Sequence, residues 1–172
     1  MLKEIHEQPM VLKPAIDRYL KTEGQPELKI DWHNIDCIKI LACGTAYISG
    51  LVAKYWLEEL TNITVDLELA SEFRYRKSAN AKNGITIVIS QSGETLDTLE
   101  ALKKARTSGH TIISIVNTER SSIARISDYV LPIMVGPEIG VASTKAFLGQ
   151  LMVLATLSID IGLKMGNISN TV

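Results

Sequence analysis

The sequence predicts a three-layer α/β/α domain on a five-stranded parallel sheet of order 2-1-3-4-5. Two observations lead there. Five short apolar runs rich in Ile and Val alternate with helix-forming stretches, the pattern of right-handed βαβ crossovers. That alternation implies a parallel sheet with helices on both faces. Two of them, Cys37 to Ala42 and Ile85 to Ile89, break into turns of glycine and hydroxyl residues that open the next helix.

The first segment, Leu2 to about Lys21, has helical tendency, and Pro9 and Pro14 divide it because proline suits the first turn of a new helical piece. Gly24-Gln25-Pro26 is a turn, followed by a polar connection to Asp36. Cys37-Ile38-Lys39-Ile40-Leu41-Ala42 is the first strand, broken at Cys43-Gly44-Thr45. A helix follows from Ala46 to about Leu60, with Leu51, Tyr55 and either Trp56 or Leu60 on one apolar face. Thr64 to Leu69 is the second strand, Ser71 to Arg76 a short helix or turn, and Asn83-Gly84 a loop. Ile85 to Ile89 is the third strand. The helix Leu96 to Arg106 turns Leu99, Leu102 and Ala105 inward and stops at Ser108-Gly109. Thr111 to Val116 is the fourth strand, and Ser121-Ser122 caps a short helix containing Ile123 and Ala124. Tyr129 to Val135 is the fifth strand, marked by Pro132 as an edge or its end. Gly136 to Gly140 is a loop. The last helix, from near Ser143 to about Met165, is apolar almost all round (Phe147, Leu148, Leu151, Met152, Leu154, Leu157, Ile161). That surplus predicts a second subunit or another domain against it.

The 172 residues suffice for one domain with a real core, read as an N-terminal helical segment (about 1–22) and an α/β core (about 37–165). With 46% hydrophobic and 22% charged residues the composition is that of a globular protein, and a net charge of −1 argues against a generic nucleic-acid binder. Cys37 and Cys43 suggest reduced thiols in a cytoplasmic protein, not a disulfide framework, and with three scattered histidines they form no metal pattern. No cofactor is expected: there is no Walker motif and no G-x-G-x-x-G. The start, Met1 to Glu7, has no apolar core of its own and does not read as a signal peptide. Ala146 to Leu163 is interrupted by Gln150 and Asp160 and reads as a buried helix, not a membrane span.

An open parallel sheet binds ligands beyond the carboxyl ends of its strands, where chain direction reverses across the sheet. In the order 2-1-3-4-5 that point lies between strands one and three, whose turns are Cys43-Gly44-Thr45 and Ser90-Gln91-Ser92-Gly93-Glu94-Thr95. A helix N-terminus offers unpaired N–H groups and a dipole that favours an anion. Ser90, Ser92 and Thr95 equally suit an ordinary turn and N-cap; the second loop beside them turns the reading toward a phosphate cradle. Glu94 and Asp97 would repel a phosphate unless they point away. Ser143 or Thr144 can cap the last helix, and Ser143 can equally meet a ligand. Lys145, a lone lysine in a first helical turn, is read as solvated. His6, His33 and His110 are read as structural or exposed, leaving no acid–base pair and no catalytic residue.

Five motifs carry a family resemblance: Lys3-Glu4-Ile5-His6-Glu7-Gln8-Pro9, Ala42-Cys43-Gly44-Thr45, Ala70-Ser71-Glu72-Phe73-Arg74-Tyr75-Arg76, Ser90 to Thr95, and Glu138-Ile139-Gly140-Val141-Ala142-Ser143-Thr144-Lys145-Ala146-Phe147. In order, and over nearly the whole chain, they resemble the first sugar-isomerase (SIS) domain of the glucosamine-6-phosphate synthases, the isomerising glutamine–fructose-6-phosphate aminotransferases. The resemblance implies a flavodoxin-like sheet order and a hexose phosphate ligand, fructose 6-phosphate or glucosamine 6-phosphate. It implies that Ser90, Gln91, Ser92 and Thr95 hold the phosphate, that Thr45 contacts the sugar, and that Val141 and Ser143 line the same pocket. Ala46 stands where the family usually has serine, so one hydroxyl contact is lost. The family's glutaminase domain and second SIS domain, which supplies its glutamate base, ring-opening histidine and Schiff-base lysine, are not in this stretch. The expectation is therefore a substrate-binding half, inactive by itself, in a homodimer and alongside the parent enzyme's other domains. Two alternatives are an SIS sugar-phosphate sensor of a regulator, for which no helix-turn-helix or basic stripe is visible, and a small stand-alone SIS isomerase with Glu138 as its base.

Overall fold

The computed structural model describes residues 1–20, 27–77 and 82–169. The expected turn at Gly24-Gln25-Pro26 lies outside them. Five strands, β1 (Cys37–Ala42), β2 (Thr64–Leu69), β3 (Gly84–Ser90), β4 (Thr111–Val116) and β5 (Tyr129–Pro132), form one sheet in the order β2-β1-β3-β4-β5, every neighbouring pair parallel. Among the described residues, six α-helices surround it: α1 (Leu2–Leu20), α2 (Gly44–Thr61), α3 (Ala70–Phe73), α4 (Leu96–Thr107), α5 (Ser122–Arg125) and α6 (Lys145–Lys164).

Strand periodicity divides the core. Ile38, Ile40, Ile85, Ile87, Ile89, Ile113 and Ile115 point to the face covered by α1, α2 and α6. Leu41, Val88, Ile112 and Val116 point to the other, against Phe73, Ala101, Leu102 and Ala105. Lys39 faces that second side in full burial. It is held by Asp66 and Glu68 on β2, and its ammonium lies 5.1 Å from the Phe73 ring centroid.

Three expectations need correcting. Pro9 and Pro14 do not divide the first segment; both lie inside a continuous α1. Each proline removes one intrahelical bond, and both sit on the exposed side, where water can take the freed carbonyls. The inner face of α2 is Ser49, Gly50, Ala53, Leu57 and Thr61, while Leu51 and Tyr55 face outward. Helix α2 is pressed between sheet and α6, and a Cβ at Gly50 would come within 2.9 Å of Ile40 Cγ2, so small residues win over large ones. Strand β5 ends at Pro132. Ile133 still donates to the Val116 carbonyl, but Val135 N–H donates to Asn117 Oδ1, a side chain replacing the ladder. Part of the apolar surface of α6 is covered within the domain, because α1 and α2 pack on it as well as the sheet, while Phe147, Leu148, Leu151 and Met152 are only half-buried. By length and composition α6 could cross a membrane, but half of that apolar window is buried here.

Candidate functional site

The carboxyl ends of β1 and β3 lie side by side, and each runs straight into a helix. After β1, Cys43 stays extended and Gly44 takes φ +57° to open α2. After β3, Ser90 to Thr95 make a hydroxyl-rich turn with Gly93 at φ +68°. No side chain fits at Gly93: a Cβ there would run into the Ser121 hydroxyl, which already caps α5 by accepting the Ala124 N–H. Thr98 Oγ1 lies 3.9 Å from Cys43 Sγ and ties the two loops together.

Hydroxyls organise the turn. Ser90 Oγ accepts the Gly93 N–H at 3.1 Å and lies 3.0 Å from Thr95 Oγ1. Ser92 Oγ accepts the Glu94 N–H at 3.1 Å, a local turn of the kind serine favours. The Ser92 hydroxyl proton meets no acceptor among the described residues, and one of the Ser90–Thr95 pair must also keep its proton unspent. The turn therefore has donors to offer. The two acids beside it are turned away. Glu94 Oε1 accepts the Ser122 N–H at 2.8 Å, and the Ser122 hydroxyl and N–H hold its carboxyl below the usual range. Asp97 is paired with Arg74 at 2.6 Å.

Thr45, Gln91, Val141 and Ser143 come together on one recess of about 220 Å³, along with Cys43, Ala46, Glu138, Gly140 and Gln150. Gln91 also lines an adjoining open recess with Ser92, Asn117, Thr118 and Glu119. Ser90 and Thr95 line neither; Ser90 is buried beneath the turn and braces it. The expected set thus divides into residues that line the recesses and residues set beneath or behind the turn.

The far wall of the inner recess is the segment between β5 and α6, and carboxylates hold it. Neither Ser143 nor Thr144 caps α6 with its side chain. Glu138 does so from a distance, accepting the Thr144 and Ala146 N–H groups at 2.8 and 3.3 Å and both hydroxyls of Ser143 and Thr144 at 3.1 Å. A carboxylate committed in this way stabilises a helix end, and the arrangement opposes its use as a base. Glu4 of α1 reaches across to accept the N–H groups of Ile139 (2.6 Å) and Gly140 (3.1 Å). The N-terminal amine and those two N–H groups lower its pKa to about 2. Lys145 is not solvated, as expected of it, but 4% exposed and paired with Glu7 at 2.9 Å.

Sequence reasoning missed Gln150, Asn117 and the bracing role of Glu4. Glu4 lies 135 residues from the Ile139 it holds, and Gln150 lies 101 residues from Ser49, so no local spacing signals them. His110 is buried with Nδ1 2.8 Å from Thr86 Oγ1, in keeping with a structural role. Cys37 and Cys43 are free thiols, and burial pushes the Cys37 thiol pKa up. Among the described residues, no three His, Cys, Asp or Glu side chains gather as a metal would require.

Residues 33–159 match the SIS domain family model. The chain is 49% identical over 99% of its length to a glutamine–fructose-6-phosphate aminotransferase (isomerizing) of Bradyrhizobium diazoefficiens, and 47% over 98% to that of Zymomonas mobilis. It spans only 29% and 28% of those two relatives. Among solved structures it is similar to the C-terminal domain of glucosamine-fructose-6-phosphate aminotransferase from Francisella tularensis (38% identity, TM-score 0.91, 98% of this chain, 49% of that one). It is also similar to a glucosamine-6-phosphate deaminase from Thermotoga maritima (26% identity, TM-score 0.80, 94% of this chain, 48% of that one). Sheet order, paired switch-point loops and matched residues agree: this chain belongs to the SIS domain family.

Proposed function

We propose that the chain is the sugar-phosphate-binding half of the isomerase module of a glutamine–fructose-6-phosphate aminotransferase. It takes fructose 6-phosphate or glucosamine 6-phosphate and has little or no turnover by itself. The observation that carries this reading is the junction at Gln91, where a turn with unspent hydroxyl protons meets a recess lined by Thr45, Val141 and Ser143. The similarity to aminotransferases over nearly the whole chain supports it. Ser92 and Gln91 donate to the phosphate. Ser90 and Thr95 hold the turn in shape and lend a hydroxyl proton. Thr45, Ser143 and the backbone around Val141 meet the sugar.

Isomerisation needs an acid–base pair placed at C1 and C2 of an opened sugar. The carboxylates nearest this recess are occupied, Glu138 with the α6 end and Glu4 with the Ile139–Gly140 backbone. That favours binding without chemistry over a stand-alone isomerase using Glu138. The same reading assigns a cytoplasmic homodimer, a single SIS unit over 1–172, further domains of a parent enzyme as partners, and no metal or cofactor.

Calorimetric titration with fructose 6-phosphate tests it. Wild type should bind, and Ser92→Ala should bind about tenfold more weakly, the worth of a hydrogen bond to a charged group. Equal binding by both, or none by wild type, would sink the cradle assignment.

A further inference from the structure

Gln150 sits one and a half turns into α6, 1% exposed, at the floor of the inner recess. The mechanism above does not use it. One end of its amide meets Ser49 Oγ at 3.1 Å, and Ser49 Oγ also lies 2.7 Å from the Ala46 carbonyl oxygen. A hydroxyl has one proton, and a carbonyl can only accept. The Ser49 proton therefore goes to Ala46, and the amide satisfies Ser49 best by donating its NH2, with its carbonyl oxygen turned to the recess. In either orientation one polar end of the amide has no partner among the described residues and borders the recess. The other polar side chains buried on α6 are satisfied, Lys145 by Glu7 and the Thr156 and Ser158 hydroxyls by carbonyls of their own helix, which sets the open end of the Gln150 amide apart from them.

We propose that Gln150 is a specificity-determining residue, its amide pairing with a hydroxyl of the sugar while the Ser92 turn holds the phosphate. This rests on the sugar-phosphate reading of the site. A hydroxyl both donates and accepts, so it matches whichever end of the amide faces it. Ser49, itself buried and anchored on the backbone of α2, sets the direction of the amide. Gln150 would thus distinguish a polyhydroxylated phosphate ester from phosphate alone.

The test compares fructose 6-phosphate with inorganic phosphate, each titrated against wild type, Gln150→Met, Gln150→Asn and Ser92→Ala. Methionine keeps the volume without the amide, and asparagine keeps the amide but retracts it by one methylene. Both Gln150 variants should bind the ester about tenfold more weakly and inorganic phosphate within about twofold of wild type. Ser92→Ala should weaken both ligands. Thermal melts identify a variant that fails to fold, and the other then decides. Unchanged ester binding by a folded Gln150 variant, or equal loss of both ligands, overturns the inference and leaves the cradle standing. Binding of neither ligand by wild type overturns both.

Discussion

At Gly93 a backbone requirement and a packing requirement coincide. The φ of +68° is strained for any L side chain, and the space a Cβ would need is filled by the Ser121 hydroxyl. Gly93→Ala should therefore destabilise the domain by roughly 1–3 kcal/mol, read from urea unfolding. Displacing Ser121 would also uncap α5, so Gly93→Ala should lose sugar-phosphate affinity as well. A folded variant of wild-type stability would contradict this account of the turn. Serine plays a different part. The Ser90 and Ser92 hydroxyls take the Gly93 and Glu94 N–H groups within the turn, ahead of α4, whose first N–H groups receive no side-chain cap from Thr95.

Among the elements, the segment between β5 and α6 is the least self-sufficient part of the site. It has no ladder of its own beyond the Asn117 side chain, and it is held by Glu138, by Glu4 and by the Glu7–Lys145 pair. Glu4→Ala removes the acceptor for the Ile139 and Gly140 N–H groups. Amide exchange at those two residues should quicken while the β3 core amides stay protected. Unchanged exchange at both would show that α1 does not brace this wall. The strands and their order were legible because apolar β-branched runs ending in turn residues have few other readings. The two loops at the switch point were legible for the same reason. The course of α1 through two prolines was not, because local propensity argues for a break and tertiary packing on α6 overrides it. The inner face of α2 was missed because close approach to α6 selects small residues, while a search for large apolar ones finds Leu51 and Tyr55. Gln150 and Glu4 were missed because each acts on residues remote in sequence, as a polar group among apolar ones or in a helix remote from the loop it holds.

Across the whole molecule, carboxylates stabilised by folding set the response to acid. The hydrogen bond from Lys145 and its charge hold the Glu7 carboxyl below its ordinary value of 4.5. The folded state therefore binds that proton less readily than the unfolded chain. The resulting stability is fully present above pH 4.5 and is lost as pH falls through the lowered folded value. Glu94 acts in the same direction through Ser122. Melting temperature should fall on acidification below about pH 4.5. Glu7→Gln should be less stable than wild type at neutral pH, with a buried lysine left unpaired, and should show a shallower acid decline. Identical pH profiles for the two proteins would remove the Glu7–Lys145 pair from the account.

Strand β5 bears on how copies of the chain can meet. Ile133 N–H points to β4, so by alternation Pro132 faces outward, with no N–H to offer and its carbonyl capped by the Tyr19 hydroxyl at 2.9 Å. Val130 is left as the one residue of β5 presenting both backbone groups to the outside. At the opposite edge, β2 carries Asp66 and Glu68, and its Val65 N–H is taken by the Glu58 carboxylate. Both margins thus disfavour pairing with an incoming strand. The proline that ends the sheet also blunts its edge against pairing with another strand.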